Sequence, residues 1–127
     1  MKVEGVVVRG CGAASRRDYG AATMLYGIDV HRGTLNIKCA RGWSGRLCPP
    51  IPMVLGGRLH DSWKGRLADV DVVVLRGFMH VAEVLAPVSL RRTFGFKDGD
   101  AVSIDIVSYK PDAELAAKQL GGVYAVP

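Results

Sequence analysis

Gly33-Thr34-Leu35-Asn36-Ile37-Lys38 is a glycine turn that leads directly into a short strand. Successive side chains of a strand point to opposite faces. Leu35 and Ile37 are therefore predicted to enter a core, while Thr34 and Asn36 share the other face. Two neutral oxygen-bearing side chains suit Mg²⁺, which prefers oxygen and takes further ligands from water and nucleotide phosphates. The alternative is a Thr–Asn pair that closes a turn and satisfies its own backbone.

Further strands are indicated on both sides of this stretch. An apolar, β-branched run at 3–8, the most apolar run at 70–75, a short run at 81–85 and an alternating run at 101–107 all read as strands. Residues 40–57 read as loop-rich, because Pro49, Pro50 and Pro52 exclude a helix or a central strand. Many short strands and frequent turns predict a small, mainly β barrel with one or two short helices.

The helical segments are short and lie at the ends of these runs. Residues 18–26 are predicted to form a helix with Asp18 as N-cap and Gly27 as its stop. Residues 111–120 are predicted to form a last helix on the outside of the barrel, capped by Asp112 and stopped at 121–122. Between them, residues 87–94 read as a loop with one helical turn, before a turn at Asp98-Gly99.

A loop of small residues flanked by arginines follows the first predicted strand. It reads Arg9-Gly10-Cys11-Gly12-Ala13-Ala14-Ser15-Arg16-Arg17. Small residues let backbone N–H groups approach a phosphate closely, and arginines add bidentate donors. The Walker pattern with its lysine is absent, so an ordinary surface loop remains the alternative.

Glu83 stands in an otherwise apolar strand, between Ala82 and Val84. A carboxylate in such surroundings needs a partner or a raised pKa. Strand alternation leaves a second interpretation open, in which Glu83 faces solvent on the side opposite Ala82 and Val84.

Composition bounds the class of protein. The chain has 127 residues, of which 49% are hydrophobic and 23% charged, as expected for one globular domain over 1–127. The net charge of +5 favours an anionic partner: a nucleotide, a nucleic acid or a membrane surface. The three cysteines lack metal-binding spacing and are expected to be free thiols in a reducing cytoplasm. The sequence predicts no signal peptide and no membrane span.

Three segments in order resemble the archaeal CTP-dependent riboflavin kinase family. The first is Val3-Glu4-Gly5-Val6-Val7-Val8-Arg9-Gly10-Cys11-Gly12, and the second is the G-T-L-N segment from Gly33 to Asn36. The third is Glu83-Val84-Leu85-Ala86-Pro87-Val88-Ser89-Leu90-Arg91 with the turn that follows it. The resemblance implies a cradle-loop β-barrel that transfers a phosphoryl group from CTP to the 5′-hydroxyl of riboflavin, giving FMN and CDP.

The resemblance also implies a role for each matching residue. Thr34 and Asn36 would bind Mg²⁺, and Glu83 would contact the flavin and orient or deprotonate its hydroxyl. The nucleotide would lie against a loop and the end of a strand. Those positions are Gly10, Cys11, Gly12, Ala13, Ala14 and Ser15, followed by Val88, Ser89, Leu90 and Arg91 on the cytosine side.

The chain departs from the family pattern at positions that bear on binding. Ala13 and Ala14 replace the acidic residue and the third glycine of the loop, and Leu75 replaces a small polar residue that helps bind flavin. A binding barrel without turnover is therefore the second hypothesis. A nucleic-acid-binding barrel is disfavoured, because aromatics are only 7% and do not alternate with basic residues as stacking platforms do. The oligomeric state is left open, with a monomer as the simplest case.

Overall fold

A computed structural model describes residues 1–10 and 18–120 of the chain. Its strands are β1 (Lys2–Val8), β2 (Leu35–Cys39), β3 (Ile51–Leu55), β4 (Arg58–Leu67), β5 (Val70–Arg76), β6 (Val81–Leu85) and β7 (Ala101–Val107). Its helices are α1 (Gly20–Tyr26), α2 (Leu90–Phe94) and α3 (Ala113–Leu120), with a short 3₁₀ turn at Trp43–Arg46.

The strands close into a ring. Going round it, the order is β4, β5, β6, β2, β1 and β7, and β7 pairs again with β4. Every pairing is antiparallel. One edge of β4 is shared, because residues 58–62 pair with β3 and residues 64–66 pair with β7. Closure removes the free edges that an open sheet would expose. The predicted mainly β barrel is thus confirmed, although the described residues form three short helices where one or two were predicted.

The interior of the ring is filled by alternate residues of its strands, as the sequence pattern predicts. In β7, Val102, Ile104 and Ile106 are buried, while the residues between them are exposed. In the other strands too, alternate residues point inward, and together they form one apolar cluster. Its strand members are Val3, Val7, Leu35, Ile37, Cys39, Trp63, Leu67, Val72, Val74, Ala82, Val84, Val102, Ile104 and Ile106.

A second apolar cluster lies on the outside of the wall, where α1 covers β5 and β6. Ala22, Leu25 and Tyr26 of the helix pack with buried residues that include Leu75 and Leu85. Burial on both faces explains why the 70–75 run is so apolar. The Tyr26 hydroxyl and the Ser62 hydroxyl lie 2.7 Å apart in this layer, and burial raises the pKa of the Tyr26 phenol.

The helix ends follow the predicted caps with one correction. Helix α1 begins at Gly20 with Tyr19 as N-cap, so Asp18 lies one position too early, although its carboxylate still accepts a hydrogen bond from the Gly20 N–H at 2.8 Å. Gly27 ends the helix in the left-handed conformation, as predicted. Asp112 caps α3 by accepting from the backbone of the first turn, whereas the predicted stop at 121–122 lies outside the described residues. Among the described helices, none is long and apolar enough to cross a bilayer.

The region 40–57, predicted to be loop-rich and without a central strand, contains the edge strand β3. Pro52 is tolerated there because β3 lies at an edge and, among the described strands, pairs only with β4. The outer edge of β3 is covered by Gln119 of α3. Its side-chain carbonyl accepts from the Val54 N–H at 2.9 Å, and its amide group donates to the Pro52 carbonyl at 3.0 Å. Helix α3 therefore does pack on the outside of the barrel.

Gly5 of β1 lies tightly against β2 and offers a test of the ring. A Cβ at this position would lie 2.3 Å from Ile37 Cγ2 and 2.4 Å from the Lys38 carbonyl oxygen. Because a backbone atom is among the neighbours, the clash cannot be relieved by a rotamer change alone. We expect Gly5→Ala to lower the free energy of unfolding by about 2–3 kcal/mol, measured by urea denaturation.

Gly45→Ala is the matched control for this change. No atom of the described residues lies within 4 Å of the position that its Cβ would take, so its free energy of unfolding should stay close to that of the parent chain. Equal stabilities for the two variants would contradict the close approach of β1 and β2.

Candidate functional site

One row of paired residues crosses four strands on the outer face of the barrel. Val8 of β1 is opposite Asn36 of β2, Asn36 is opposite Glu83 of β6, and Glu83 is opposite Leu75 of β5. Directly opposed residues of an antiparallel pair have Cβ atoms about 4.5–5.5 Å apart. The register therefore places the predicted metal ligand Asn36 beside the predicted catalytic Glu83.

Glu83 lies on the outer face of β6 but does not face open solvent. Only 8% of the residue is exposed. Its carboxylate oxygen Oε1 accepts a hydrogen bond from the Thr34 hydroxyl at 3.1 Å. Of the two interpretations that the sequence left open, the solvent-facing one was therefore wrong.

The residues that follow β1 also lie next to Asn36. A Cβ added to Gly10 would clash with the Asn36 side-chain nitrogen, so the Asn36 amide would have to shift to accommodate any larger residue at this position. The first residue of the predicted phosphate loop therefore lies against a predicted metal ligand. The remaining predicted loop positions, Cys11, Gly12, Ala13, Ala14 and Ser15, lie outside the described residues.

A cavity of about 130 Å³ opens beside Thr34. Val88, Ser89, Leu90 and Arg91, the residues predicted for the cytosine side, all line it together with Thr34. The opposite side is formed by the loop before β2, which is held by a hydrogen bond from the His31 N–H to the Ala86 carbonyl at 2.7 Å. Residues far apart in the chain thus meet in one concave site.

Two of these lining residues also have structural partners. Ser89 is the N-cap of α2, and its hydroxyl accepts from the Arg92 N–H at 3.4 Å. The Arg91 guanidinium forms an ion pair with Asp98 at 2.7 Å and a longer hydrogen bond to the Val8 carbonyl at 3.4 Å. Arg91 is therefore at the cavity, but its Nη2 is already engaged within the protein.

A second, more open cavity of about 480 Å³ lies next to the first and was not predicted from the sequence. It is lined by Asp18, Tyr19, Gly20, Thr23, Asp29, Val30 and Arg32. Arg32 lines both cavities. No pattern in the sequence predicts this cavity, because it forms between the start of α1 and the loop that leads to β2.

The oxygen atoms at the site fit a magnesium ion that shares its ligands with a phosphate. Among residues 1–10 and 18–120, no group of three or more His, Cys, Asp or Glu side chains could enclose a metal. Mg²⁺ needs no such cage, since it is usually bound by a few protein oxygens, several waters and substrate phosphates. A hydroxyl has one hydrogen and two lone pairs, so Thr34 can donate to Glu83 and still offer oxygen to a cation.

Comparisons with known proteins agree with the sequence pattern. The chain is 28% identical over 123 residues to riboflavin kinase of Pyrococcus abyssi, an alignment that covers 83% of this chain and 58% of the relative. It is likewise 28% identical over 118 residues to riboflavin kinase of Pyrococcus furiosus, covering 79% of this chain and 56% of the relative. The chain thus spans less than three fifths of the length of these curated relatives.

No protein-family model matches the chain. Both relatives carry the same name and come from archaea of one genus. The resemblance drawn from the three sequence segments is confirmed by these alignments, in which the chain is similar to archaeal riboflavin kinases over about four fifths of its length.

Proposed function

We propose that this chain is a CTP-dependent riboflavin kinase, which transfers the γ-phosphoryl group of CTP to the 5′-hydroxyl of riboflavin and releases FMN and CDP. One observation carries the proposal. Thr34 and Asn36, Glu83 and Gly10 come from three separate parts of the chain and meet on one outer face, beside the cavity lined by Val88–Arg91.

Phosphoryl transfer depends on positioning of the substrates and on charge neutralisation more than on covalent chemistry. Thr34 and Asn36 would hold Mg²⁺, which neutralises charge on the phosphates when it is bound. The backbone from Gly10 onward would carry the phosphates past these two side chains. Glu83 would accept a hydrogen bond from the riboflavin hydroxyl and take its proton as the new P–O bond forms.

The two cavities suggest how the substrates divide the site. Ligand pockets usually have volumes of about 300–1,000 Å³, so the smaller cavity of about 130 Å³ suits a single base rather than a whole nucleotide. We assign cytosine to it, with the phosphates outside along Thr34. Part of the flavin would then use the larger, adjoining cavity, and Arg32 would lie between the two ligands.

A binding barrel without turnover is the second candidate, and one observation favours it. Leu75, which replaces the flavin-binding polar residue of the family, is fully buried beside Glu83 in the cluster that α1 covers. It therefore offers a flavin neither a hydrogen bond nor an exposed surface.

The deciding experiment is a product assay. Purified protein is incubated with riboflavin, Mg²⁺ and one of CTP, ATP, GTP or UTP, and FMN is separated by chromatography and detected by fluorescence. We expect FMN with CTP well above the other three nucleotides. Absence of FMN with every nucleotide, from protein shown to be folded, would overturn the kinase in favour of the binding barrel. Thermal shifts with CTP, CDP, riboflavin and FMN would then identify its ligand.

A further inference from the structure

We propose that Arg91 is a positioning residue, which holds the end of β1 against Asn36 rather than reading the nucleotide base. The inference deepens the proposed function and rests on it. It concerns a junction of three segments: the end of β1, the start of α2, and the turn at 97–100 that precedes β7.

Arg91 joins all three segments through one nitrogen. Its Nη2 lies 2.7 Å from Asp98 Oδ1 and 3.4 Å from the Val8 carbonyl oxygen. The Nη2 group carries two hydrogens, so these two contacts account for both. A short contact between charged groups is stronger and better defined than a neutral hydrogen bond, which makes Asp98 the partner that orients the guanidinium.

The turn that carries Asp98 is itself bound to β1. The Gly99 N–H donates to the Val7 carbonyl at 2.8 Å, and the Val7 N–H donates to the Asp100 carbonyl at 2.8 Å. Asp100 fixes the shape of the turn, because its carboxylate accepts from the Lys97 N–H at 2.8 Å. Asp98 therefore lies on a turn whose backbone is hydrogen-bonded to β1, and this turn holds the Asp98 carboxylate next to Arg91.

These contacts determine the position of the residues at which the phosphate loop begins. Val8 is opposite Asn36 in the β1–β2 pairing, and Gly10 packs against the Asn36 side chain. At the other end of the junction, Leu90 is buried and anchors α2 beside the nucleotide cavity. Arg91 therefore fixes the distance between the residues assigned to the base and the backbone assigned to the phosphates.

The test compares Arg91→Met with Asp98→Asn in steady-state kinetics. Positioning predicts that both variants raise KM for CTP by about tenfold, or about 1.4 kcal/mol, with little change in KM for riboflavin. If Arg91 instead contacts the base directly, Arg91→Met alone raises KM for CTP, and Asp98→Asn does not. That second pattern would overturn the inference.

Asp71→Asn is the matched control. Asp71 pairs with Arg66, which also donates to a backbone carbonyl, that of Asp69, and none of these three residues lines either cavity. Its KM values should match those of the parent chain. A rise equal to that of Asp98→Asn would mean that losing any surface ion pair produces the effect.

A second measurement separates failure of this inference from failure of the proposed function. In amide NMR spectra without ligand, Asp98→Asn should shift the resonances of the Gly10 N–H and the Asn36 side-chain amide, while Asp71→Asn leaves both unchanged. Unmoved resonances in Asp98→Asn refute the positioning role even if the parent chain makes FMN. Shifted resonances in a chain that makes no FMN support the junction and leave only the kinase proposal refuted.

Discussion

Asn36→Ala is expected to reduce Mg²⁺-dependent FMN formation by at least about a hundredfold while leaving the fold intact. The side chain is half-buried on the outer face of β2, between the end of β1 and Glu83. Removing it deletes one of two proposed metal ligands and opens the contact that Gly10 makes. The measurement is the rate of FMN formation with CTP across a Mg²⁺ titration.

Two variants control this experiment. Asn36→Asp keeps an oxygen at the same position and should retain far more activity than Asn36→Ala. Lys38→Ala lies on the same face of β2 one alternation further along, where its side chain is exposed, and should be close to the parent chain in both rate and stability. Full activity of Asn36→Ala would refute the metal assignment, and a loss equal in Lys38→Ala would point to damage to β2.

The parts of the fold that the sequence predicts are those with one dominant signal. Strand β7 alternates strictly, so its buried and exposed residues follow directly from its letters. Strand β5 is almost entirely apolar because both of its faces are covered. In the same way, the Gly33 turn and the period-2 pattern of β2 are sufficient to place Thr34 and Asn36 on one face.

The sequence does not predict strands β3 and β4, because pairing with other strands stabilises them and their local sequence lacks a clear strand pattern. Pro52 reads as a break, and only an edge position next to β4 makes it acceptable. Strand β4 carries Arg58, His60, Asp61, Lys64 and Arg66 along its length, a pattern too polar to read as a long strand. Its role in closing the ring depends on partners that lie far away in the chain.

The candidate site could likewise be predicted only in part. Short segments indicate the residue types, but the meeting of Thr34 with Glu83 spans 49 positions of the chain, and no local pattern predicts a contact of that range. Burial of Glu83 likewise does not follow from the letters of β6, which left both a solvent-facing and a buried carboxylate open. The third segment predicts Arg91 from its position alone, and the fold adds that Asp98 and Val8 engage its guanidinium.

Glu83→Gln is expected to lower the rate of FMN formation by about 10²–10⁴-fold, the usual contribution of a general base. The substitution keeps the shape of the side chain and an oxygen that can accept the Thr34 hydrogen bond, so it removes the charge and the basic group while the contact survives. Steady-state kinetics with riboflavin and CTP separate two roles. A fall in kcat at unchanged KM for riboflavin indicates that Glu83 takes the proton, whereas a rise in KM alone indicates that it only binds flavin.

Glu4→Gln removes the same charge from the exposed outer face of β1 and is the matched control, which should keep the parent rate. Thr34→Val adds a complementary comparison, because it leaves the Glu83 carboxylate in place but removes its hydrogen-bond donor. An unchanged rate in Glu83→Gln would exclude Glu83 from proton transfer and from flavin binding alike. The chemistry would then depend on positioning by Thr34, Asn36 and the phosphate loop, without a protein base.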